Sequence, residues 1–582
     1  MILGIERTDD RLRHGALVAA LGAALVLSAC KKAPEPPAPE SSTAAATQTA
    51  TLSAETKTAS EQITADYLRS VVATLSSDEY EGRGPGTAGD TKTRDYLVDQ
   101  LKQMGFEPGG PDGGWQQSFE LIGIDAKMPK QWSFSKGGKS VDFKWWDQYI
   151  AGSGVQTGKG AIKNAEVVFV GYGIQAPEYG WDDFKGQDLK GKVLLMLNND
   201  PDWDPNMFAG DTRLYYGRWT YKYESAARQG AVGAIIIHTT PSAGYPWQVV
   251  QTSWSGEQFK LPAGDEPHVQ AESWLTQDAA RELVKFSGND LDKLVEAAKS
   301  KDFKPVPLGV TTSLAFTNKI KRTTTANVYG VLKGSDPQLS SEYVIYSAHH
   351  DHLGIGAPDA TGDKIYNGAL DNASGTAEVL AIGKAFKALP KPPRRSIMLL
   401  FVAAEEQGLL GSKYFAAHPT MPAGKIAANI NFDVANVWGK TRDVTYIGKG
   451  KSSLDAVIDG LAAVQGRTVK ADQYPDRGSF YRSDQFSFAK IGVPALYLEG
   501  GTEYIGRPEG WGTEQHDAYE AKNYHQPSDQ LTDSWNWDGV IEDTQLGFWA
   551  GIDIADADAM PSWNAGDEFE AARKAALAAA GE

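Results

Sequence analysis

From residue 325 onward, short apolar runs alternate with stretches whose apolar residues recur at helical spacing. The runs are typical of buried strands, and the stretches between them are typical of crossover helices. Strands are predicted at 327–334, 343–351, 396–406, 425–434 and 493–501, and helices at 373–389, 408–417, 452–465 and 537–557. This alternation predicts an α/β fold, in which helices cover both faces of a mostly parallel central sheet.

The residues before this region show a different pattern of apolar and polar positions. Between about 130 and 315, apolar runs at 165–174, 192–200 and 231–240 read as strands, with a helix predicted at 221–230. These features indicate a compact β-rich unit, in which no acid, base or nucleophile constellation stands out. Earlier still, 63–76 and 90–106 have apolar positions at helical spacing, and Gly105 is the expected end of the second helix.

Length and composition limit the classes of protein. The 582 residues are too many for one ordinary domain. Basic residues number 57 against 74 acidic ones, and no long basic run is present, which argues against nucleic acid and against electrostatic attraction to an anionic membrane. Residues 31–60 are rich in Pro, Ala, Ser and Thr and lack large apolar side chains, so they are predicted to be a tether.

The first thirty residues predict export. The stretch ALVAALGAALVLSA has the length of a signal-peptide core and is too short to span a membrane well. It ends at Leu27-Ser28-Ala29-Cys30, which resembles a bacterial lipobox, with Cys30 as the lipidated residue. Acidic residues before the core suggest that the true start lies further in. Lys31 after the cysteine resembles outer-membrane sorting, so we expect a periplasmic or surface lipoprotein of a Gram-negative bacterium.

Because Cys30 is the only cysteine, the mature chain can form no internal disulfide and offers no thiolate ligand or cysteine nucleophile.

Metal-capable side chains follow several of the predicted strands. His349 and Asp351 lie at the end of the strand predicted at 343–351, and Glu405 and Glu406 end the strand predicted at 396–406. Asp433 lies at the end of the strand predicted at 425–434. Asp371 and His525 lie in the loops 366–375 and 523–529. In parallel sheets, ligands bind beyond the carboxyl ends of the strands. We therefore expect these side chains to meet at one edge.

Their chemistry favours a zinc pair. Two histidines and three carboxylates are nitrogen and oxygen donors that suit catalytic zinc, and one bridging carboxylate would allow a two-metal site. His349 and Asp351 lie on the same face of an extended segment, so Asp351 is placed to accept the second ring N–H of His349. By the same two-residue period, His350 and His352 are expected on the opposite face, unless the chain turns before His352. Of two adjacent glutamates, one can bind metal while the other acts as a general base.

The ordered segments SAHHDHLG, YNGALDNASGTAEVL, FVAAEEQGLLGS, NINFDV, YRSDQFSFAKIGVPAL and YHQPSDQL resemble the dizinc aminopeptidase family, whose relatives include glutamate carboxypeptidase and glutaminyl cyclase. The resemblance covers about 325–535. It implies a three-layer α/β/α fold, peptide substrates and two zinc ions. One ion would be held by His349, Asp371 and Asp433, and the other by Asp371, Glu406 and His525.

The same resemblance implies that Asp371 bridges the ions, that Glu405 is the general base and that Asp351 orients His349. Tyr481 lies one position from the place where some relatives carry a tyrosine that binds the oxyanion, and it is a candidate for that role. The β-rich insert resembles a protease-associated domain. The predicted divisions are a signal peptide (1–29), a tether (30–60), two parts of the peptidase domain (61–130 and 319–560), the insert (131–318) and a tail (561–582).

An aminopeptidase is the leading interpretation, and three alternatives stay open. A carboxypeptidase or dipeptidase would need a cationic clamp, for which Arg477, Arg482 and Arg507 are candidates. Glutaminyl cyclase would use a single zinc ion. A peptide-binding lipoprotein without catalysis would not need the intact ligand set.

Overall fold

The computed structural model describes residues 50–581. The predictions for the export segment, Cys30 and residues 30–49 of the tether therefore lie outside the described residues. The tether prediction is wrong for its last part, because residues 54–60 form a helix with Ala59 buried. Within them, no helix is both long enough and apolar enough to cross a membrane.

Fifteen α-helices lie in the described part of the chain. They are α1 (Ala54–Ser60), α2 (Ala65–Leu75), α3 (Ala88–Met104), α4 (Trp219–Arg228), α5 (Thr240–Ala243), α6 (Trp247–Ser253), α7 (Gln277–Phe286), α8 (Leu291–Ala298), α9 (Gly375–Ala388), α10 (Leu410–Ala417), α11 (Leu454–Val464), α12 (Gln485–Lys490), α13 (Trp511–Lys522), α14 (Trp537–Asp556) and α15 (Glu570–Gly581). As predicted, α3 ends at Gly105, which adopts a left-handed conformation with φ of 72°.

The strands of residues 50–581 are β1 (Glu107–Pro108), β2 (Gln116–Lys127), β3 (Gln131–Lys136), β4 (Lys139–Lys144), β5 (Tyr149–Ser153), β6 (Lys159–Phe169), β7 (Gln175–Ala176), β8 (Trp181–Asp182), β9 (Val193–Leu197), β10 (Gly233–His238), β11 (Glu257–Lys260), β12 (Ala271–Thr276), β13 (Val306–Leu332), β14 (Tyr343–His349), β15 (Gly354–Ile355), β16 (Ile365–Tyr366), β17 (Ser396–Val402), β18 (Ile426–Asn431), β19 (Asp443–Ile447), β20 (Thr468–Ala471) and β21 (Ala495–Gly500).

The central sheet runs in the order β2, β13, β17, β14, β18, β21, β19, β20. Its four middle strands, β17, β14, β18 and β21, are mutually parallel, and antiparallel pairs flank them. The predicted α/β class with a mostly parallel centre is confirmed. The middle strands are mostly apolar because both faces of the sheet are covered.

Strand β14 shows how the two faces are covered. Val344 and Tyr346 pack in the core that α2, α9 and α14 form on one face. Ile345 points the other way, into a smaller core with Phe415 of α10 and Phe488 of α12. Three layers result, and the carboxyl ends of the parallel strands emerge together at one edge.

The β-rich region folds around its own sheet. Strands β6, β9, β10 and β12 are parallel neighbours, and β5 closes the edge antiparallel to β12. We call the region from β3 to α8 the insert. Strand β13 is shared: its first half pairs with β6 of the insert, and its second half pairs with β2 and β17 of the central sheet.

Candidate metal centre

Four of the predicted residues lie at the carboxyl ends of adjacent parallel strands. His349 is the last residue of β14, Glu405 and Glu406 follow β17, and Asp433 follows β18. Because β14 pairs in parallel with both neighbours, these side chains lie at the same edge of the sheet. Asp371, just ahead of α9, and His525, in the loop after α13, reach the same edge from other segments.

The five predicted ligands form two groups that share one carboxylate. His349 Nε2 lies 3.2 Å from Asp371 Oδ1 and 3.3 Å from Asp433 Oδ1. His525 Nε2 lies 3.2 Å from Asp371 Oδ2 and 2.8 Å from Glu406 Oε2. Each oxygen of Asp371 thus faces a different histidine, an arrangement that suits a carboxylate bridging two ions.

The donor set fits divalent metal ions. His349, Asp371 and Asp433 present ligand atoms that all lie within 4.8 Å of one another. His525 Nε2 and Glu406 Oε1 are buried without a hydrogen-bond partner among the described residues, although other polar atoms of the cluster are close by. Buried nitrogen and oxygen atoms that lack hydrogen-bond partners can instead be satisfied by binding a shared metal cation.

Neighbouring histidines stabilise the ionised form of the Asp371 carboxyl. Burial alone would raise the pKa of this carboxyl, but the imidazole rings of His349 and His525 beside its two oxygens hold the pKa well below its usual range. Asp371 is therefore ionised at neutral pH, as a metal ligand must be.

His352 lies in the cluster, which the two-residue period of an extended chain did not predict. Strand β14 ends at His349, so the chain turns before His352 is reached. The ring is fully buried, and its Nδ1 lies 2.5 Å from Glu406 Oε1. His350 follows the expected parity and faces away, with its Nε2 3.4 Å from Asp90 Oδ1.

Asp351 links the histidine ligand to the glutamate pair. Its backbone carbonyl lies 3.2 Å from His349 Nδ1, and its carboxylate Oδ1 lies 3.8 Å from the same nitrogen. The carboxylate also accepts the backbone N–H of Glu405 at 3.0 Å. The structure therefore places Asp351 beside the ring as expected, with the closer contact made by its main chain.

Glu405 borders the cavity of the cluster and makes no side-chain hydrogen bond or ion pair within residues 50–581. Burial raises the pKa of this carboxyl well above its ordinary value, and the nearby carboxylates of Glu406, Asp484 and Asp433 add to the effect. A carboxylate that is held at the site without a fixed partner is available to exchange a proton.

Two residues that the sequence did not single out hold the loops of the site. Asp529 accepts the backbone N–H of Asp371 at 3.0 Å and that of Leu370 at 3.1 Å, which fixes the bridging residue. Arg83 is fully buried, and its guanidinium donates to the carbonyls of Leu75, His350, Asn367 and Gly368 at 2.6–2.9 Å.

Arg83→Met should lower the free energy of unfolding by at least about 3 kcal/mol, because four buried carbonyls would lose their donor at a cost of about 1–3 kcal/mol each. Urea unfolding at constant slope would measure the loss. Arg69→Met is the matched control, because the ion pair of Arg69 with Asp533 is exposed and such pairs contribute about 1 kcal/mol or less. Equal effects of the two substitutions would contradict this role of Arg83.

Tyr481 is not brought together with the cluster. Its buried hydroxyl donates to Glu568 Oε1 at 2.6 Å, and its ring packs against Phe480 and Phe486. Ser483, two residues further along the chain, does contact the site: its hydroxyl donates to Asp433 Oδ2 at 2.6 Å.

A cavity of about 140 Å³ opens beside Asp371, Glu405, Glu406 and Asp433. Aromatic and charged side chains stand out in its walls: Trp438, Tyr474, Tyr497, Tyr504, Tyr519, Tyr524, Arg477, Arg482, Glu499 and Glu520. A space of this size holds a group about as large as benzene.

Residues 327–548 match the sequence model of Peptidase family M28. The chain is 28% identical over 260 residues to a probable leucine aminopeptidase 2 of Aspergillus oryzae, covering 43% of this chain and 47% of that protein. It is 27% identical over 217 residues to Leupeptin-inactivating enzyme 1 of Streptomyces exfoliatus, covering 37% and 43%. A probable zinc metalloprotease of Pyrenophora tritici-repentis is 30% identical over 168 residues, covering 28% and 34%. The chain spans less than half the length of these curated relatives.

Among solved structures, an aminopeptidase from Aneurinibacillus sp. strain AM-1 is similar with a TM-score of 0.51 at 18% identity. The match covers 87% of this chain and 97% of that one. The two proteins therefore share the fold.

Proposed function

We propose that the protein, whose residues 327–548 match the sequence model of Peptidase family M28, is a zinc-dependent exopeptidase that removes N-terminal residues from peptides. One observation carries the proposal: the two oxygens of Asp371 face two separate histidine–carboxylate pairs, and Glu405 lies beside them with no side-chain partner among residues 50–581. The names of the curated relatives, which include leucine aminopeptidases and zinc metalloproteases, support the activity and the metal.

His349, Asp371 and Asp433 would hold one zinc ion, and Asp371, Glu406 and His525 would hold the other. When bound, such ions polarise the peptide carbonyl, stabilise negative charge on its oxygen and make water a nucleophile at neutral pH. Asp351 keeps the ring of His349 oriented, and Asp529 keeps the backbone of Asp371 in place. A measured stoichiometry of two zinc ions per chain would distinguish this function from that of a glutaminyl cyclase, which uses one zinc ion.

Glu405 is the proposed general base. Its carboxylate takes a proton from the attacking water, and it returns that proton to the nitrogen of the leaving amine as the peptide bond breaks. The backbone N–H of Glu405 is bound to Asp351, so base and histidine ligand are positioned by the same residue. The side chain of Glu405 stays free to move the proton because no other described residue binds it.

The cavity favours action at an amino terminus. It is small enough to hold one side chain, and it contains Glu520, whose Oε2 is buried without a hydrogen-bond partner among the described residues. An α-ammonium group would satisfy such an acceptor.

A carboxypeptidase or dipeptidase is the second candidate, and one observation favours it. Of the three arginines considered as a clamp, Arg477 is paired with Asp517 at 3.0 Å, and Arg507 is exposed and lies over the Trp511 ring. Arg482 borders the cavity without an ion pair in the part of the chain that the structure describes; its nearest partner is the Tyr524 hydroxyl at 3.4 Å.

An aminoacyl anilide and an N-acetylated dipeptide distinguish the two activities. We expect kcat/KM for leucine p-nitroanilide to exceed that for N-acetyl-Leu-Leu at least about 10-fold, because acetylation removes the charge that a buried carboxylate would bind, and each charge-assisted contact contributes about 1.5–3 kcal/mol. Faster cleavage of the blocked dipeptide would favour the carboxypeptidase. Cleavage of neither, with zinc bound, would favour a binding protein.

A further inference from the structure

One helix of the insert touches a predicted metal ligand. Ser253 is the last residue of α6, and its Oγ lies 2.8 Å from His525 Nδ1. Both side chains are buried, at 8% and 6% relative exposure. Because 272 residues separate the two, this is a tertiary contact between the insert and the peptidase part.

The contact fixes the tautomer of His525. Its Nε2 faces Asp371 and Glu406, so Nε2 is the nitrogen that would bind metal as a lone-pair donor. The proton of the neutral ring then sits on Nδ1, which donates to Ser253 Oγ. A metal-bound histidine needs this second hydrogen bond to hold its orientation, and in the described structure Ser253 is the residue that supplies it.

Helix α6 is held from both sides. In the insert, Trp247 Nε1 and Gln251 Nε2 each donate to the carbonyl of Trp146 at 2.9 Å. Towards the peptidase part, Gln248 Nε2 donates to the carbonyl of Ala521 at 2.6 Å. The position of Ser253 therefore depends on how the insert lies against the segment that carries His525.

We propose that Ser253 is a positioning residue that the insert supplies to the metal centre, so that affinity for one of the two ions depends on docking of the insert. The ion concerned is the one assigned to Asp371, Glu406 and His525, and the inference rests on the two-zinc site proposed above. The other ion, at His349 and Asp433, has its histidine oriented by Asp351 and does not depend on the insert in this way.

The test is the zinc affinity of the full-length protein, measured by competition with a chromogenic chelator. Loss of such an outer hydrogen bond to a ligand typically costs about 10- to 100-fold in affinity. Ser253→Ala should therefore lower the affinity for one zinc ion by about 10- to 100-fold and leave the affinity for the other within about threefold of the wild type. Ser253→Thr, which keeps the hydroxyl, should restore both.

Ser225→Ala is the matched control. Ser225 is also a buried helix serine of the insert, but its hydroxyl donates to the carbonyl of Gly173, far in sequence from the ligands. This control should leave both zinc affinities unchanged. If Ser253→Ala bound two ions as tightly as the wild type, or weakened both equally, the inference would be overturned. If the wild type bound no zinc, the proposed function itself would fail.

A second measurement needs no variant. Binding free energies are reciprocal, so a docked insert that favours zinc must in turn be favoured by zinc. Adding zinc to the metal-free protein should slow hydrogen exchange at the amides of α6 more than at those of α7, which lies in the same insert. Equal effects on α6 and α7 would contradict coupling through α6.

Discussion

Glu405→Gln is expected to lower kcat by about 10²- to 10⁴-fold while leaving two zinc ions bound. Glutamine has nearly the same shape as glutamate but cannot accept the proton of the attacking water. The Glu405 side chain is free of hydrogen bonds in the described structure, so the substitution removes no contact that holds the fold. Turnover of leucine p-nitroanilide and zinc content by mass spectrometry of the native protein would be measured on the same sample.

The adjacent Glu406→Gln is the internal control. Glu406 contacts His525 at 2.8 Å and His352 at 2.5 Å, so its loss should remove an ion as well as activity. Near-normal turnover in Glu405→Gln, or zinc loss in Glu405→Gln with zinc retained in Glu406→Gln, would reverse the roles assigned to the two neighbours.

Asp371→Asn should reduce zinc binding to at most one ion and lower kcat/KM by at least about 10³-fold. The substitution leaves one carbonyl oxygen where two charged oxygens faced two histidines. An amide NH₂ pointing at His525 would be unfavourable for metal binding there, because a donor replaces an acceptor. Zinc stoichiometry by equilibrium dialysis would measure the effect directly.

Asp484→Asn serves as the comparison for Asp371→Asn. Asp484 is a fully buried carboxyl near the cluster, and burial raises its pKa to about 7, with Asp433 and Glu406 contributing. It is not among the groups whose ligand atoms converge in the described residues. We expect both ions to remain. If Asp484→Asn lost zinc as Asp371→Asn does, nearby charge rather than ligation would explain the result.

The sequence predicted the strand-end residues well, for a simple reason. His349, Glu406 and Asp433 each follow an apolar run, and the parallel pairing of those runs brings their ends together. Asp371 and His525 come from loops whose positions no periodicity determines, and their roles came from the resemblance to a family. Fold class could be predicted for the same reason as the strand ends, because burial on both faces leaves a recognisable apolar pattern.

The remaining parts of the site depend on contacts that a sequence does not display. Arg83 binds the carbonyl of a residue 267 positions away, and Ser253 binds a ring 272 positions away. His352 is expected on the opposite face only if the chain stays extended, and the sequence does not show that β14 ends at His349. Tyr481 has a side chain of the right type, yet Glu568 from the distant C-terminal region binds its hydroxyl.

Strand β13 determines how the insert is attached to the central sheet. Its 27 residues are hydrogen-bonded along most of their length, first to the insert and then to the central sheet. At about 3.3 Å per residue, such a strand reaches about 90 Å if straight. A ladder of this kind bends and twists, but it does not rotate freely as a flexible linker does. The insert is therefore joined to the central sheet by a hydrogen-bonded strand, and turning it about this junction would break backbone hydrogen bonds of the ladder.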